Sequence, residues 1–257
     1  MLPLELSMRC IILLNTLEEH SGAGMFYVDY LLKCMYIMLP QEGFSMAATI
    51  NDLIDDFIQK IRKGDIEIYN EFSLQHELGF FLRNNTKAKD WTICFEKNVK
   101  KDKDFEEFRK KNKVTKFKKK EIDISIFSKD KSELLYAIEL KFPRNKQFPE
   151  QMFKFCEDIE FAEDLKALGF YHALSIVFVD HKGFHSKSKK GTIVDGIYGY
   201  FRNNDKLTGK IAKPTGKSKE SKAKVNLEGE YEVDWKEASQ GMQYYIIEAK
   251  SSGSFKR

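Results

Sequence analysis

Cysteine is sparse. The four present, Cys10, Cys34, Cys94 and Cys156, are widely scattered, and no two have the close spacing of a zinc knuckle. Nothing suggests a disulfide scaffold, so a reducing cytoplasm is the expected compartment. Long apolar runs are also missing. MRCIILLNTLEEH and MFYVDYLLKCMYIMLP, both within residues 1–45, fall short of the about 20 residues that span a bilayer, and charge interrupts each. Neither has the basic n-region or small-residue cleavage site of a secretory signal, so no membrane partner is expected. The patterns Gly-x-Ser-x-Gly and Gly-x-Gly-x-x-Gly do not occur. TGKS at residues 215–218 has Ile211 where a phosphate-binding loop needs its first glycine, and no strand precedes it. His181 and His185 are spaced like half a zinc site but lack convincing partners, and read as loop histidines.

What the chain does have is segregated charge. Its 257 residues, 42% hydrophobic and 13% aromatic, suit one globular domain with appendages. The net charge of +4 conceals two basic segments. Residues 97–120 hold twelve Lys/Arg against four Asp/Glu, and residues 182–224 hold twelve against three, so these carry +8 and +9 and the remainder is near −13. Two basic edges on an acidic body suggest a polyanion partner, because phosphate neutralisation supplies most non-specific nucleic-acid affinity.

The stretch with chemical content is EIDISIFSKDKSELLYAIELKF, residues 121–142. Glu121–Phe127 alternates with Ile122, Ile124 and Ile126 on one face, and Leu134–Phe142 alternates with Tyr136, Ile138, Leu140 and Phe142 on one face. SKDKSE between them is turn material of hairpin length. Superposing the apolar faces sets the register with Lys131 at the turn's centre, which places Asp123 opposite Glu139 and Lys141 one pleat along. Opposed carboxylates on one face, with Cβ atoms about 5 Å apart, repel unless a cation or proton lies between them. Carboxylates converging from rigid strands are also how a hard divalent cation is held.

Asp, then Glu-x-Lys, on one hairpin surface resembles the PD-(D/E)xK nuclease superfamily, with Ile122 in place of the proline of that name. The resemblance implies Mg²⁺, or Mn²⁺, held by Asp123 and Glu139, with Lys141 as the catalytic lysine that orients or activates the attacking water. It further implies a glutamate reaching the metal site from the helix before the first core strand. Glu77 is the matching candidate, with Glu71 as substitute. Gln151, with Phe155 four residues on, resembles the Gln-x-x-x-Tyr element of the exonuclease-like members.

The surrounding pattern predicts an α/β fold with a restriction-endonuclease-like core, a mixed central sheet flanked by helices, and an N-terminal helical extension over residues 1–45. That extension reads as a helical hairpin, as an oligomerisation arm that would support a homodimer, or as a segment upstream of a native start at Met46. The last follows from QEG at residues 41–43, which CAG GAG GGN can encode, a purine-rich ribosome-binding sequence before Met46. Residues 46–257 form the nuclease-like domain. TINDLIDDFIQKIR predicts an amphipathic helix ended by Gly64; a second helix runs from an N-cap at Ser73 through LQHELGFFLRN; WTICFEKNV, 91–99, is the first strand. A helix over about Pro149–Leu168, ended by Gly169, and the apolar strand YHALSIVFVD form a crossover to a strand parallel to the hairpin's second arm. Residues 182–226 read as a flexible basic insertion, and QYYIIEAKSS supplies a last strand with a rival Glu-x-Lys, Glu248 and Lys250, preceded by Asp234. The expected activity is metal-dependent hydrolysis of DNA phosphodiester bonds, in restriction, phage defence or mobile-element processing. The alternative is a nuclease fold that binds DNA without cutting it.

Overall fold

The computed structural model describes residues 49–85, 91–117, 119–187, 196–214 and 223–250, all within one compact unit, Ala48–Arg257. The readings of residues 1–45, of a start at Met46 and of TGKS at 215–218 lie outside the described residues.

Two helices open the unit. Helix α1 (Ile50–Lys63) starts where Thr49 accepts the Asp52 N–H and the Asp52 carboxylate takes the Thr49 N–H at 2.8 Å, a reciprocal cap that satisfies two otherwise orphaned donors. It ends at Gly64, whose φ of +79° suits a residue without a Cβ. Its six expected apolar residues, from Ile50 to Ile61, are all buried. Helix α2 (Glu71–Asn85) starts two residues before the expected N-cap Ser73. The cap is Asn70, whose Oδ1 accepts the Ser73 N–H at 2.7 Å, while Ser73 Oγ accepts the Asn70 N–H at 3.0 Å. That earlier start makes Glu71 the first residue of the helix.

The chain continues through β1 (Trp91–Asn98), α3 (Glu106–Asn112), β2 (Glu121–Ser128), β3 (Leu134–Lys141), α4 (Phe148–Leu168), β4 (His172–Val179), α5 (Ile197–Arg202), β5 (Leu207–Ala212), β6 (Lys224–Tyr231), β7 (Lys236–Ser239) and β8 (Met242–Glu248). Six strands form one mixed, mostly antiparallel sheet in the order β1-β2-β3-β4-β8-β7, and β5 with β6 forms a separate pair. Only β3 and β4 run parallel, joined by α4 as the crossover pattern predicts.

Helices cover both faces of the large sheet. α1 and α2 pack with Ile124, Ile126, Ile138 and Leu140 on one side. Ile122, expected with them, instead joins a second core with Phe117, Phe127 and Phe161. Helix α4 is buried nearly all round, because the β5–β6 pair lies on its outer side. Glu163 on α4 accepts the Gly229 N–H at 2.7 Å and the Tyr231 hydroxyl at 2.7 Å. The segment expected to be a flexible basic insertion is therefore structured where described: α5, β5 and the first residues of β6 fall within it. Its lysines alternate with inward residues such as Leu207, Ile211 and Val225, so the lysine count masked a period-two pattern. The charged loop before the hairpin likewise contains a helical turn, α3. No helix among the described residues is long and apolar enough to cross a membrane.

Candidate active site

The hairpin forms in the predicted register. Ile124 pairs with Ile138 and Ser125 with Ala137, and one step further along the same register Asp123 faces Glu139. A bulge at Ile126/Phe127, where the pairing skips Leu135 of β3, shifts the register only toward the turn, so the site end keeps its alignment. Asp123 Oδ2 accepts the Leu140 N–H at 2.7 Å, and Glu139 Oε1 faces the Asp123 N–H at 3.4 Å. Glu139 is 1% exposed.

Four more side chains close around the pair. Lys141 Nζ lies 2.9 Å from Glu71 Oε1 and 3.9 Å from Asp158 Oδ2. Lys119 Nζ lies 2.6 Å from Glu139 Oε2 and also contacts Asp158 Oδ1. Although both ammoniums approach it, neither carboxylate oxygen of Asp158, a fully buried residue, receives a hydrogen bond of good geometry. Four carboxylates against two ammoniums leave a charge of −2 with all ionised.

Burial in this volume pushes the Asp123 carboxyl up to about 6, against the pull of Lys141 and the Leu140 N–H. Glu139 is raised well above the ordinary carboxylate range, first by burial and then by Asp123 beside it. Burial by itself would lower both lysines. Asp158 and Glu139 more than reverse this for Lys119, and Asp158, Glu71 and Asp123 do so for Lys141, so both stay firmly protonated.

Carboxylate oxygens of this kind are the donors that hard divalent cations take. Among the described residues no three His, Cys, Asp or Glu side chains form a group that could hold a metal ion, and the Lys119 ammonium stands between Glu139 and Asp158. In this arrangement Lys119 supplies the neutralising charge that a metal would otherwise bring.

The helix glutamate in contact with the hairpin is Glu71. Its Oε2 also faces the Phe142 N–H at 3.5 Å. Glu77, the first candidate, pairs with its neighbour His76 at 3.6 Å on the helix surface; the start of α2 at Glu71 explains the difference, since the first turn abuts the end of β3. Gln151 is buried near the start of α4 and donates to Asn145 Oδ1 at 3.2 Å, just beyond the site's third strand. The rival Glu-x-Lys is not assembled. Glu248 pairs with His172 at 2.7 Å, Lys250 donates to the Glu230 carbonyl at 2.5 Å, and Asp234 is exposed beside Lys236. His181 spends its Nδ1 on the Gly183 N–H, and His185 lies against Trp235.

Three participants were missed in the sequence: Lys119, Asp158 and Gln75. Asp158 had a visible signal, because it lies on the helical stripe Gln151, Phe155, Asp158, Ala162, Leu165, where a charge at a core position is rare unless paired. Gln75 supports the site from α2, its amide donating to the Asp123 carbonyl at 2.9 Å and the Glu96 carboxylate at 2.6 Å. Glu96, between the β1 residues paired with Ile124 and Ile122, has φ +49°, a left-handed kink in that strand.

Comparison with family models, curated proteins and solved structures gave no match.

Proposed function

We propose that this chain is a metal-dependent nuclease hydrolysing DNA phosphodiester bonds, built on a restriction-endonuclease-like core. The observation that carries the reading is the opposed pair Asp123 and Glu139, half-buried and buried respectively and adjacent on β2 and β3, with Lys141 on the same strand as Glu139 and braced by Glu71. The element order supports it: a helix, three antiparallel strands, a crossover helix and a parallel fourth strand surround the pair.

Asp123 and Glu139 would hold Mg²⁺ or Mn²⁺. When bound, that ion would withdraw charge from the scissile phosphate and lower the pKa of the attacking water. Lys141, kept protonated by its carboxylate neighbours, is suited to donate N–H bonds to a phosphate oxygen or to the incoming water and unsuited to take a proton from it. Glu71 positions Lys141. The Lys/Arg-rich segments at 97–120 and 182–224 would grip the phosphate backbone without reading bases. The proposed setting is the cytoplasm.

A second reading, a nuclease fold that binds DNA without cutting, is favoured by Lys119, whose ammonium already neutralises Glu139 and Asp158. Cleavage of plasmid and single-stranded DNA with Mg²⁺ or Mn²⁺ separates the two. Activity that is lost in Asp123→Ala and Lys141→Ala, with folding intact, is expected of the nuclease. Salt-dependent DNA binding with no cleavage under either metal would leave only the binding module.

A further inference from the structure

The described residues expose five large hydrophobic side chains, and three of them, Tyr69 (60%), Phe72 (72%) and Phe80 (60%), belong to α2 or the residues leading into it. Such rings scattered singly need no explanation, but two on one helix with a third two residues before it do. Phe72 and His76 stack with planes 22° apart. Between α2 and the edge strand β1 runs a groove of about 300 Å³, walled by Phe72, His76 and Phe80 and floored by Phe95. Gly79 makes the floor possible, since a Cβ there would lie 2.2 Å from the Phe95 ring. The Arg83 guanidinium lies over the same ring, 4.5 Å from its centroid.

The groove shares Gln75 with the support of the candidate active site. Tyr69 and Phe72 flank Glu71, which braces Lys141, and Gln75 in the groove wall holds the Asp123 carbonyl. A helix rises about 1.5 Å per residue, so the rings from Phe72 to Phe80 extend about 12 Å along the axis, room for bases on either side of a scissile phosphate.

Resting on the nuclease reading above, we infer that this groove binds unpaired nucleobases of a single DNA strand, stacked on Phe72, His76 and Phe80, while the adjoining phosphate enters the carboxylate site. Exposed rings offer sequence-tolerant stacking to any base, Arg83 lies over the aromatic floor, and the Glu96 carboxylate that lines the same groove is engaged by Gln75. Paired bases inside a duplex present no free face to such rings. The substrate class is therefore DNA with unpaired nucleotides: single strands, flaps or frayed ends.

The test is binding of a fluorescein-labelled twenty-nucleotide oligothymidylate, its abasic counterpart and a blunt duplex of equal length to the full chain in EDTA, for wild type and for the double variant Phe72→Ala/Phe80→Ala. Both rings are largely exposed, so the variant is expected to keep its melting temperature. The expected result is a loss of about tenfold or more for the oligothymidylate and little change for the abasic strand and the duplex. Equal losses on all three probes, or no loss on any, overturn the proposal. Because no metal is present, this readout is separate from cleavage: a wild type that cuts DNA while the variant binds normally leaves the nuclease reading and removes the groove. A wild type that neither binds nor cuts any of them removes both and turns the aromatic face into a protein-docking surface.

Discussion

Six charged side chains share the volume around Asp123 and Glu139, and their individual losses should differ because their neighbours differ. Glu71→Gln keeps its size but weakens the brace on Lys141, so cleavage should fall at least about tenfold, while Glu77→Gln, whose partner is His76, should stay within about twofold. Parallel turnover measurements on the two variants check this; equal effects would remove Glu71 from the site. Asp158→Ala leaves Lys119 and Lys141 with less compensation in a buried setting, and should cost about 3 kcal/mol of stability in a urea titration. Asp123, Glu139 and Lys141 were legible as residues because strand alternation fixes which side chains share a face. Lys119 was not, since one lysine among eleven in residues 97–120 has no local mark that sends it inward. Glu71 was legible only as the second choice, because the choice depended on where α2 begins.

At the scale of elements, the hairpin turn and the β5–β6 pair make separate predictions. Asp130 accepts bonds from Ser128 Oγ and from the Ser132 N–H and Oγ, which hold its carboxyl down to about 2. A carboxyl depressed in the folded state contributes stability above its unfolded pKa and loses it as pH falls through the folded value, so the turn should loosen between about pH 4 and pH 2. An NMR titration of the Asp130 carboxyl with hydrogen exchange at Ser132 would show it; a midpoint near 4 would mean the bonds do not persist in solution. Glu163 pins β6 to α4 through the N–H groups of Glu228 and Gly229 and the Tyr231 hydroxyl. Glu163→Ala should therefore cost about 2 kcal/mol and accelerate amide exchange in β6 more than in β2 or β3. The α1 helix was readable to within a residue at each end because its apolar stripe and Gly64 are local signals, while the Thr49–Asp52 cap emerged only in the structure. β5 and β6 were hidden because their apolar residues alternate with lysines and glycines, and their partner is a helix far away in sequence.

Across the whole molecule, the carboxylate site and the two basic segments should respond oppositely to added ions. Saturating Mg²⁺ or Mn²⁺, at about 100 times the dissociation constant, would stabilise the wild type by about 2.7 kcal/mol and raise its melting temperature by several degrees, with the gain abolished in Asp123→Asn. A shift of equal size in that variant would place the cation elsewhere. The sequence by itself determined the hairpin and its register, the helices α1 and α4, and the parallel crossover, because each depends on hydrophobic period, local caps or turn chemistry within about twenty residues. Only the tertiary structure decided that Glu71 braces the site, that Lys119 and Asp158 join it, and that α2 keeps an exposed aromatic face beside it. Those outcomes depend on which distant surfaces meet when the apolar faces are buried, and no local period encodes that meeting.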